Sequence, residues 1–402
     1  MNHPRPSLSE AGDLVQLDKI SASGDALAAM TNLSISSLSL SHFRNYHDAR
    51  IEISSKPVVI TGSNGSGKTT ILEAVSLLAP GRGLRRAKLS DIGNVRSQQP
   101  WAVAAKAAGQ HGEVQIGTGL DPEQEDRRIV KIDGKLVRGQ GELSNHLVMF
   151  WLTPQLEQLF QEGTSAERKF MDRLVYGFDP SHATRMNAYE QAMRDRNRLL
   201  QEHRRDNHWL DALEQTMAEH AASIAASRLE ALAEINHAMT LASHSFPRSH
   251  LAVTGWLEDQ LMRGEPAVMA EEGFRRALAE NRAVDAAAGR ALLGVHRSEF
   301  QVLHLGKQMP AAQCSTGEQK AVMLSIVLAQ TRSIMRLKGQ VPILLLDEMI
   351  AHLDATRRLE LFEEICQTQA QVWMTGTDAD LFADLGNKAQ AFRIEEGKVF
   401  SL

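Results

Sequence analysis

Cysteine is almost missing from this chain: 402 residues carry two, Cys314 and Cys366. They form neither a C-x-x-C pair nor a metal-ligand spacing, which excludes a disulfide-stapled scaffold and a thiolate metal site. Two isolated thiols fit a reducing cytoplasm, and Cys314 reads as a small packed side chain. No apolar run approaches the ~20 residues that span a bilayer. The N-terminus lacks the positive start and compact apolar core of a secretory signal. Charge of one sign is not in excess: 44 Lys+Arg against 49 Asp+Glu leave a net charge of −5. Contact with nucleic acid would therefore need a local basic surface. No nuclease constellation or metal cluster stands out. With 43% hydrophobic and 23% charged residues the chain has an ordinary globular composition, long enough for two or three domains.

What is present is a phosphate-binding loop: Gly62-Ser63-Asn64-Gly65-Ser66-Gly67-Lys68-Thr69. The apolar run 57–61 predicts a buried strand before it, and residues 70–78, opening on Thr70, predict a helix after it. That strand–loop–helix context separates a real P-loop from a chance glycine-rich turn. Gly62, Gly65 and Gly67 let backbone N–H groups approach phosphate oxygens. The helix start adds unpaired amides and a positive dipole end. Lys68 is expected on the β- and γ-phosphates of a nucleoside triphosphate, and Thr69 on Mg²⁺.

A second half of the site lies far along the chain. The run 341–346 is continuously apolar, as in a strand buried on both faces of a parallel sheet. Asp347 and Glu348 follow at its C-terminal end, where such sheets place ligands. Asp347 reads as a Mg²⁺ partner and Glu348 as the base that polarises the attacking water; the pair could instead cap the next helix. Ser315-Thr316-Gly317-Glu318-Gln319-Lys320 opens a strongly apolar helical stretch, 321–328. Ser315 and Glu318 have capping-box spacing, and a capped helix N-terminus is itself a phosphate-binding device.

Residues 1–29 have little periodicity and read as a disordered extension, or as the product of a start codon placed upstream of Met30. Residues 31–164 alternate strand and turn signals around the P-loop, with a hairpin at Asp133-Gly134. Residues 165–292 change character, with strand signals giving way to long helical stripes through Tyr189, Met193, Trp209, Leu213 and Met217; a short strand is expected near 251–253. Residues 293–402 carry the second set of motifs. Two arginine clusters could meet DNA. One is Arg82, Arg85, Arg86 and Lys88, interleaved with glycine. The other is Arg185, Arg194, Arg196, Arg198, Arg204 and Arg205, which also reads as a solvated helix face balanced by Glu190, Asp195, Glu202 and Asp206.

The P-loop, the S-T-G-E-Q-K segment, L-L-L-D-E and the later Ala351-His352-Leu353-Asp354 together resemble the ABC-type ATPases of the SMC and RecF kind. Leu38 to Tyr46, with Phe43-Arg44-Asn45-Tyr46, resembles the opening of the RecF family. So do Thr153-Pro154-Gln155, Gly294-Val295-His296-Arg297 and the block 163–174. The resemblance implies an α/β fold: an ABC-type P-loop ATPase head split in sequence by an inserted α-helical arm. It implies that Arg44 reaches the nucleotide and that Gln155, counterpart of the Q-loop glutamine, stands near metal and water. Ser315, Gly317 and Gln319 would act on the nucleotide of a second copy, with Asp354 across the same interface. Thr375 and Thr377 stand where related heads carry a switch histidine. The implied function is ATP–Mg²⁺-dependent closure of a homodimer on duplex DNA near single-strand gaps, in recombinational repair with companion mediator proteins and RecA. Other readings are a transporter's nucleotide subunit and a non-clamp ATPase of the wider SMC-like group.

Overall fold

The continuous apolar runs become the centre of a parallel sheet, because only strands covered on both faces can bury every side chain. The computed structural model describes residues 30–97, 99–154, 159–160, 163–202, 206–241 and 246–402, so the expectation for residues 1–29 lies outside the described residues. The first part holds β1 (Thr31–Asn32), β2 (Ser34–Phe43), β3 (Tyr46–Glu52), β4 (Val58–Thr61), α1 (Lys68–Ser76), β5 (Ala102–Gly109), β6 (Gly112–Asp121), β7 (Gln124–Ile132), β8 (Lys135–Leu136) and β9 (Met149–Leu152). The middle holds α2 (Thr164–Tyr176), α3 (His182–Gln201), α4 (Asn207–Thr240), β10 (Ser249–Thr254), α5 (Trp256–Met262), α6 (Ala267–Glu280) and α7 (Arg282–Ala288). The last part holds β11 (Glu299–His304), β12 (Met309–Pro310), α8 (Thr316–Lys338), β13 (Gln340–Val341), β14 (Ile343–Leu346), α9 (Ala355–Thr368), β15 (Val372–Gly376), β16 (Gln390–Glu395) and β17 (Lys398–Ser401).

The central sheet has the order β17-β16-β4-β15-β14-β9. All neighbours are parallel except the β16–β17 edge. β4, β14 and β15 are buried at every position. β15 therefore separates the strand before the P-loop from the strand before Asp347. β15 covers 372–376, its ladder with β14 starting where Leu344 meets Val372. α8 continues to Lys338, well beyond the expected apolar stretch, and ends at Gly339 with φ 61°, a left-handed stop that glycine accepts without strain.

A second sheet, β3-β2-β5-β6-β7-β8, is antiparallel throughout and alternates buried with exposed side chains on β5. Asp133-Gly134 forms the expected turn, with Ile132 opposite Lys135. Gln371 ties the two sheets together. Its Oε1 accepts from the Ile35 amide at 2.8 Å and from Trp373 Nε1 at 3.1 Å, and its Nε2 donates to the Ile35 and Ser54 carbonyls at 2.9 Å each.

The middle segment is mostly helical, but it is stitched to the last part of the chain. All six residues of β10 pair antiparallel with β11, from Ser249 opposite His304 to Thr254 opposite Glu299. Ser333 Oγ on α8 donates to the Glu234 carbonyl on α4 at 3.0 Å. Arg196 requires a correction. It is fully buried and bonds Glu214, Asp285 and the Leu278 carbonyl, so it cannot belong to a DNA-facing patch; a long cation on an otherwise apolar stripe was the only sign in the sequence. Arg185, Arg194 and Arg198 pair with Asp179, Glu190 and Asp195, the solvated-face reading of that cluster. Arg204 and Arg205 lie outside the described residues. Among the described residues no helix is long and apolar enough to cross a membrane.

Candidate nucleotide-binding site

The P-loop turns between β4 and α1 on two glycines that admit no side chain. Gly62 has φ 151°, and a Cβ there would lie 2.5 Å from the Ile394 carbonyl oxygen. Gly67 has φ 115°, and a Cβ would lie 2.6 Å from Asn45 Nδ2 and 2.7 Å from the Tyr46 hydroxyl. These two neighbours hold the loop from the β2–β3 turn. Asn45 Nδ2 donates to the Ser66 carbonyl at 3.2 Å and Tyr46 OH to the Gly67 carbonyl at 3.1 Å. Burial pushes the Tyr46 phenol well above its ordinary pKa, so it stays a donor. Ser63, Asn64 and Gly65 form the exposed crest. Lys68 Nζ donates to the carbonyls of Gly62 and Ser63 at 2.9 and 3.0 Å and stands 3.8 Å from Glu348 Oε1. The buried Ser66 Oγ has no partner. A lysine curled onto its own loop and an orphaned hydroxyl both suit a cradle built for phosphate.

The strand order brings the distant carboxylates here. Thr69 Oγ1 donates to Asp347 Oδ1 at 2.9 Å, a contact between residues 278 apart in sequence. β15 supplies the link between them. Met374 pairs with Leu346, so the next residue, Thr375, faces Asp347. Its hydroxyl donates to Asp347 Oδ1 at 2.7 Å and accepts from the Glu348 amide at 2.9 Å. Burial pushes the Asp347 carboxyl above its usual pKa, against the hydrogen bonds from Thr375 and Thr69, and the Glu348 charge adds to the rise. Hydroxyl and carboxylate oxygens side by side are the hard donors that Mg²⁺ prefers. Gln155, expected beside them, lies outside the described residues. Glu348 has φ 54° and turns into the cavity, its side chain 39% exposed.

The cavity measures about 800 Å³ and is lined by Arg44, Gly65, Gly67, Lys68, Thr69 and Thr70 with Arg85, Val95 and Glu348 among its other walls. Arg44 reaches it but is bound to Glu73 of α1, Nε–Oε2 at 3.0 Å and Nη2–Oε1 at 2.6 Å. Arg85 Nη1 stands 3.7 Å from the same carboxylate. Asn45, Tyr46 and Glu73 also belong to the site, beyond the residues expected from the sequence. The first two sit in the F-R-N-Y segment, where a polar pair in a two-residue turn was the available signal; nothing in the sequence marked Glu73.

Ser315, Gly317, Gln319 and Asp354 do not line this cavity. Ser315 and Gly317 are exposed at the start of α8, which carries the expected capping box. Lys307 Nζ at 2.6 Å and hydrogen bonds from the Ser315 hydroxyl and amide hold Glu318 down to about 2. Gln319 differs from the expectation. It is buried, and its Nε2 donates to the Ala312 and Cys314 carbonyls at 3.1 Å each, so its amide braces the loop from within instead of facing outward. Asp354 caps α9, accepting from the Arg357 amide at 2.8 Å.

A family model described as the RecF/RecN/SMC N terminal domain matches residues 34–399. "DNA replication and repair protein RecF" of Rhizobium etli is 44% identical over 371 residues, covering 92% of this chain and 99% of the relative. The chain belongs to the RecF family. The protein of the same description from Agrobacterium fabrum is 45% identical over 376 residues, 92% of this chain and 99% of that one. Among solved structures, a "recombination mediator protein RecF-ATPrS in RecFOR pathway" superposes with TM-score 0.81 at 21% identity, over 93% of this chain and 99% of that chain. An Smc head domain from Pyrococcus furiosus gives 0.52 at 17% identity, over 92% and 96%. The fold is that of ABC-type ATPase heads of the RecF and SMC kind, and family membership makes this a replication and repair protein of an ATPase class.

Asp347→Asn gives a first test of the metal half of the site. A carboxyl held above its ordinary pKa costs stability at neutral pH, and the cost disappears as pH falls through the raised pKa. The amide keeps an oxygen for Thr69 and Thr375 and sheds the desolvated charge. The variant is therefore expected to unfold at higher temperature than the unmodified protein when both are nucleotide-free. Added ATP–Mg²⁺ is expected to raise its unfolding temperature less than that of the unmodified protein, as calorimetry with and without ligand would show.

Proposed function

We propose that ATP and Mg²⁺ close two copies of this chain on duplex DNA near single-strand gaps, that the closed dimer supports RecA loading with companion mediator proteins, and that slow, DNA-dependent hydrolysis releases it. The observation that carries this reading is the position of Ser315 and Gly317. They sit on an exposed, capped helix N-terminus outside their own P-loop cavity. Such a device has an anion to bind only if another molecule brings one.

In this reading the P-loop amides and Lys68 hold the phosphates, Lys68 leaving the carbonyls of Gly62 and Ser63. Thr69 and Asp347, with Gln155, hold Mg²⁺, which when bound neutralises phosphate charge. Glu348 orients the attacking water and takes its proton at a carboxylate oxygen. Thr375 keeps the two acidic residues in register, the part left open by the missing switch histidine. Residues 165–292 serve as the arm beside the head halves 31–164 and 293–402, and the protein works in the cytoplasm. Binding energy from the phosphates shifts an open–closed equilibrium, and the DNA itself is not cut.

The test is binding to a gapped duplex, followed by sedimentation. With ATP–Mg²⁺ two chains per DNA are expected, and without nucleotide the affinity should fall at least tenfold, a change of ~1.4 kcal/mol. Ser315→Arg should keep nucleotide binding and lose the ATP-dependent dimer. Binding of one chain per DNA, indifferent to ATP, would overturn the proposal.

A further inference from the structure

A second cavity of about 800 Å³ opens between the segment after α1, strand β9 and helices α2 and α3, and it does not include the P-loop. Five cations line it: Arg82, Arg86, Lys169, Arg173 and Lys338. Its two carboxylates, Asp172 and Glu190, are already engaged. Asp172 accepts from Arg228 Nε and Nη2 and pairs with His182 Nε2 at 2.9 Å, while Glu190 stands 3.6 Å from Arg194. Arg86, Lys169 and Arg173 also wall an adjoining cavity of about 490 Å³. Among the described residues no carboxylate pairs with any of these three.

Arg173 is the most unusual of them. Its guanidinium lies 5.5 Å from the Trp151 ring and 5.3 Å from the Phe170 ring, and its Nη2 is buried with no hydrogen-bond partner. Burial and the neighbouring Arg86 charge lower its pKa to about 9. An unpaired guanidinium donor is costly to bury unless an anion completes it. The basic loop is held in place. Arg128 Nη1 donates to the Gly81 carbonyl at 2.6 Å, and the Leu84 amide donates to Ser76 Oγ at 2.7 Å. Tyr176, 42% exposed, forms part of the same wall.

We propose that this cavity holds a single-stranded nucleic-acid segment, with a backbone phosphate on Arg86, Lys169 and Arg173 and a base against the Tyr176 ring. Cations interleaved with an aromatic face are the chemistry of single-strand recognition. A stacked duplex has no free base face to offer Tyr176, which favours the strand exposed at a gap. The inference rests on the DNA-binding reading above and deepens it by giving the strand exposed at a gap a site of its own.

The experiment measures binding of a labelled oligothymidylate of about 20 nucleotides, and of a matched duplex with ATP–Mg²⁺, by the full-length protein and by Tyr176→Ala and Lys169→Glu. Losing one base stack should weaken single-strand binding by roughly 5- to 100-fold in Tyr176→Ala. Lys169→Glu, which reverses a phosphate contact, should also weaken it and flatten its salt dependence. Duplex binding should stay within about twofold, the scatter of a surface change far from the contact. Arg173→Met, which removes the buried donor, repeats the single-strand test with unfolding temperature as the control for folding. Unchanged oligothymidylate binding, or equal loss of duplex binding, overturns the proposal while leaving the duplex reading intact. If the unmodified protein binds the duplex with ATP but no oligothymidylate, the cavity is not a single-strand site. If it binds neither, both readings fall together. Competition by inorganic phosphate alone, with no effect of Tyr176→Ala, would reduce the site to a phosphate pocket and also overturn it.

Discussion

Glu348→Gln is expected to lower ATP turnover by about a hundred- to ten-thousand-fold, the usual contribution of a positioned general base. Nucleotide binding should survive. The Glu348 carboxylate stands 3.8 Å from Lys68 Nζ, where it competes with phosphate for the ammonium. An amide of the same shape removes that competitor. It also keeps the backbone as it is, since the Glu348 amide bonds Thr375 whatever the side chain carries. With binding intact and hydrolysis blocked, the ATP-closed dimer should accumulate. Turnover assays and sedimentation velocity in ATP–Mg²⁺ check both halves. Unchanged turnover with no dimer would remove Glu348 from the role of base.

The second large effect concerns stability. Arg228 of α4 is fully buried and joins three parts of the chain. It meets Asp172 of α2 through Nε and Nη2 at 2.9 and 3.1 Å, Glu258 of α5 through Nη1 at 3.1 Å, and the Val295 carbonyl at 2.9 Å. Arg228→Met would leave two buried carboxylates without their cation, and breaking such a pair from one side costs ~3–5 kcal/mol. Urea titration of the unmodified and variant proteins should show that loss as a lower midpoint. The same network predicts a pH dependence. Burial pushes the Asp172 carboxyl up, but the Arg228 charge and the hydrogen bonds from His182 and Arg228 outweigh it and hold the pKa below the usual carboxylate value. A depressed folded pKa contributes stability that is present above the unfolded value, ~3.9, and is lost as pH falls through the folded one. The unmodified protein should therefore lose stability below about pH 4, and Arg228→Met should lose less over that range. A variant as stable as the original would show that the cluster contributes nothing net.

The parts of this protein that were legible in the sequence are those whose chemistry is written in contiguous residues. The P-loop needs particular residue types at fixed spacing, because its backbone must wrap a phosphate. The strands ending at Thr61 and Leu346 read as buried because strands covered on both faces have no polar side to show. The α8 cap was legible because a capping box closes within four residues.

Tertiary structure decided which of these distant pieces would meet. Sheet order alone placed β15 between the P-loop strand and the Asp347 strand, and so made Thr375 the bridge to both acidic residues. Packing turned Gln319 inward, gave Arg44 to Glu73, and buried Arg196 and Arg228 among carboxylates from other elements. A side chain's charge is local information, but its partner is not. The Asp347–Thr69 and Gln371–Ile35 contacts close gaps of 278 and 336 residues, distances over which residue spacing carries no signal and only the pairing of strands determines what touches what.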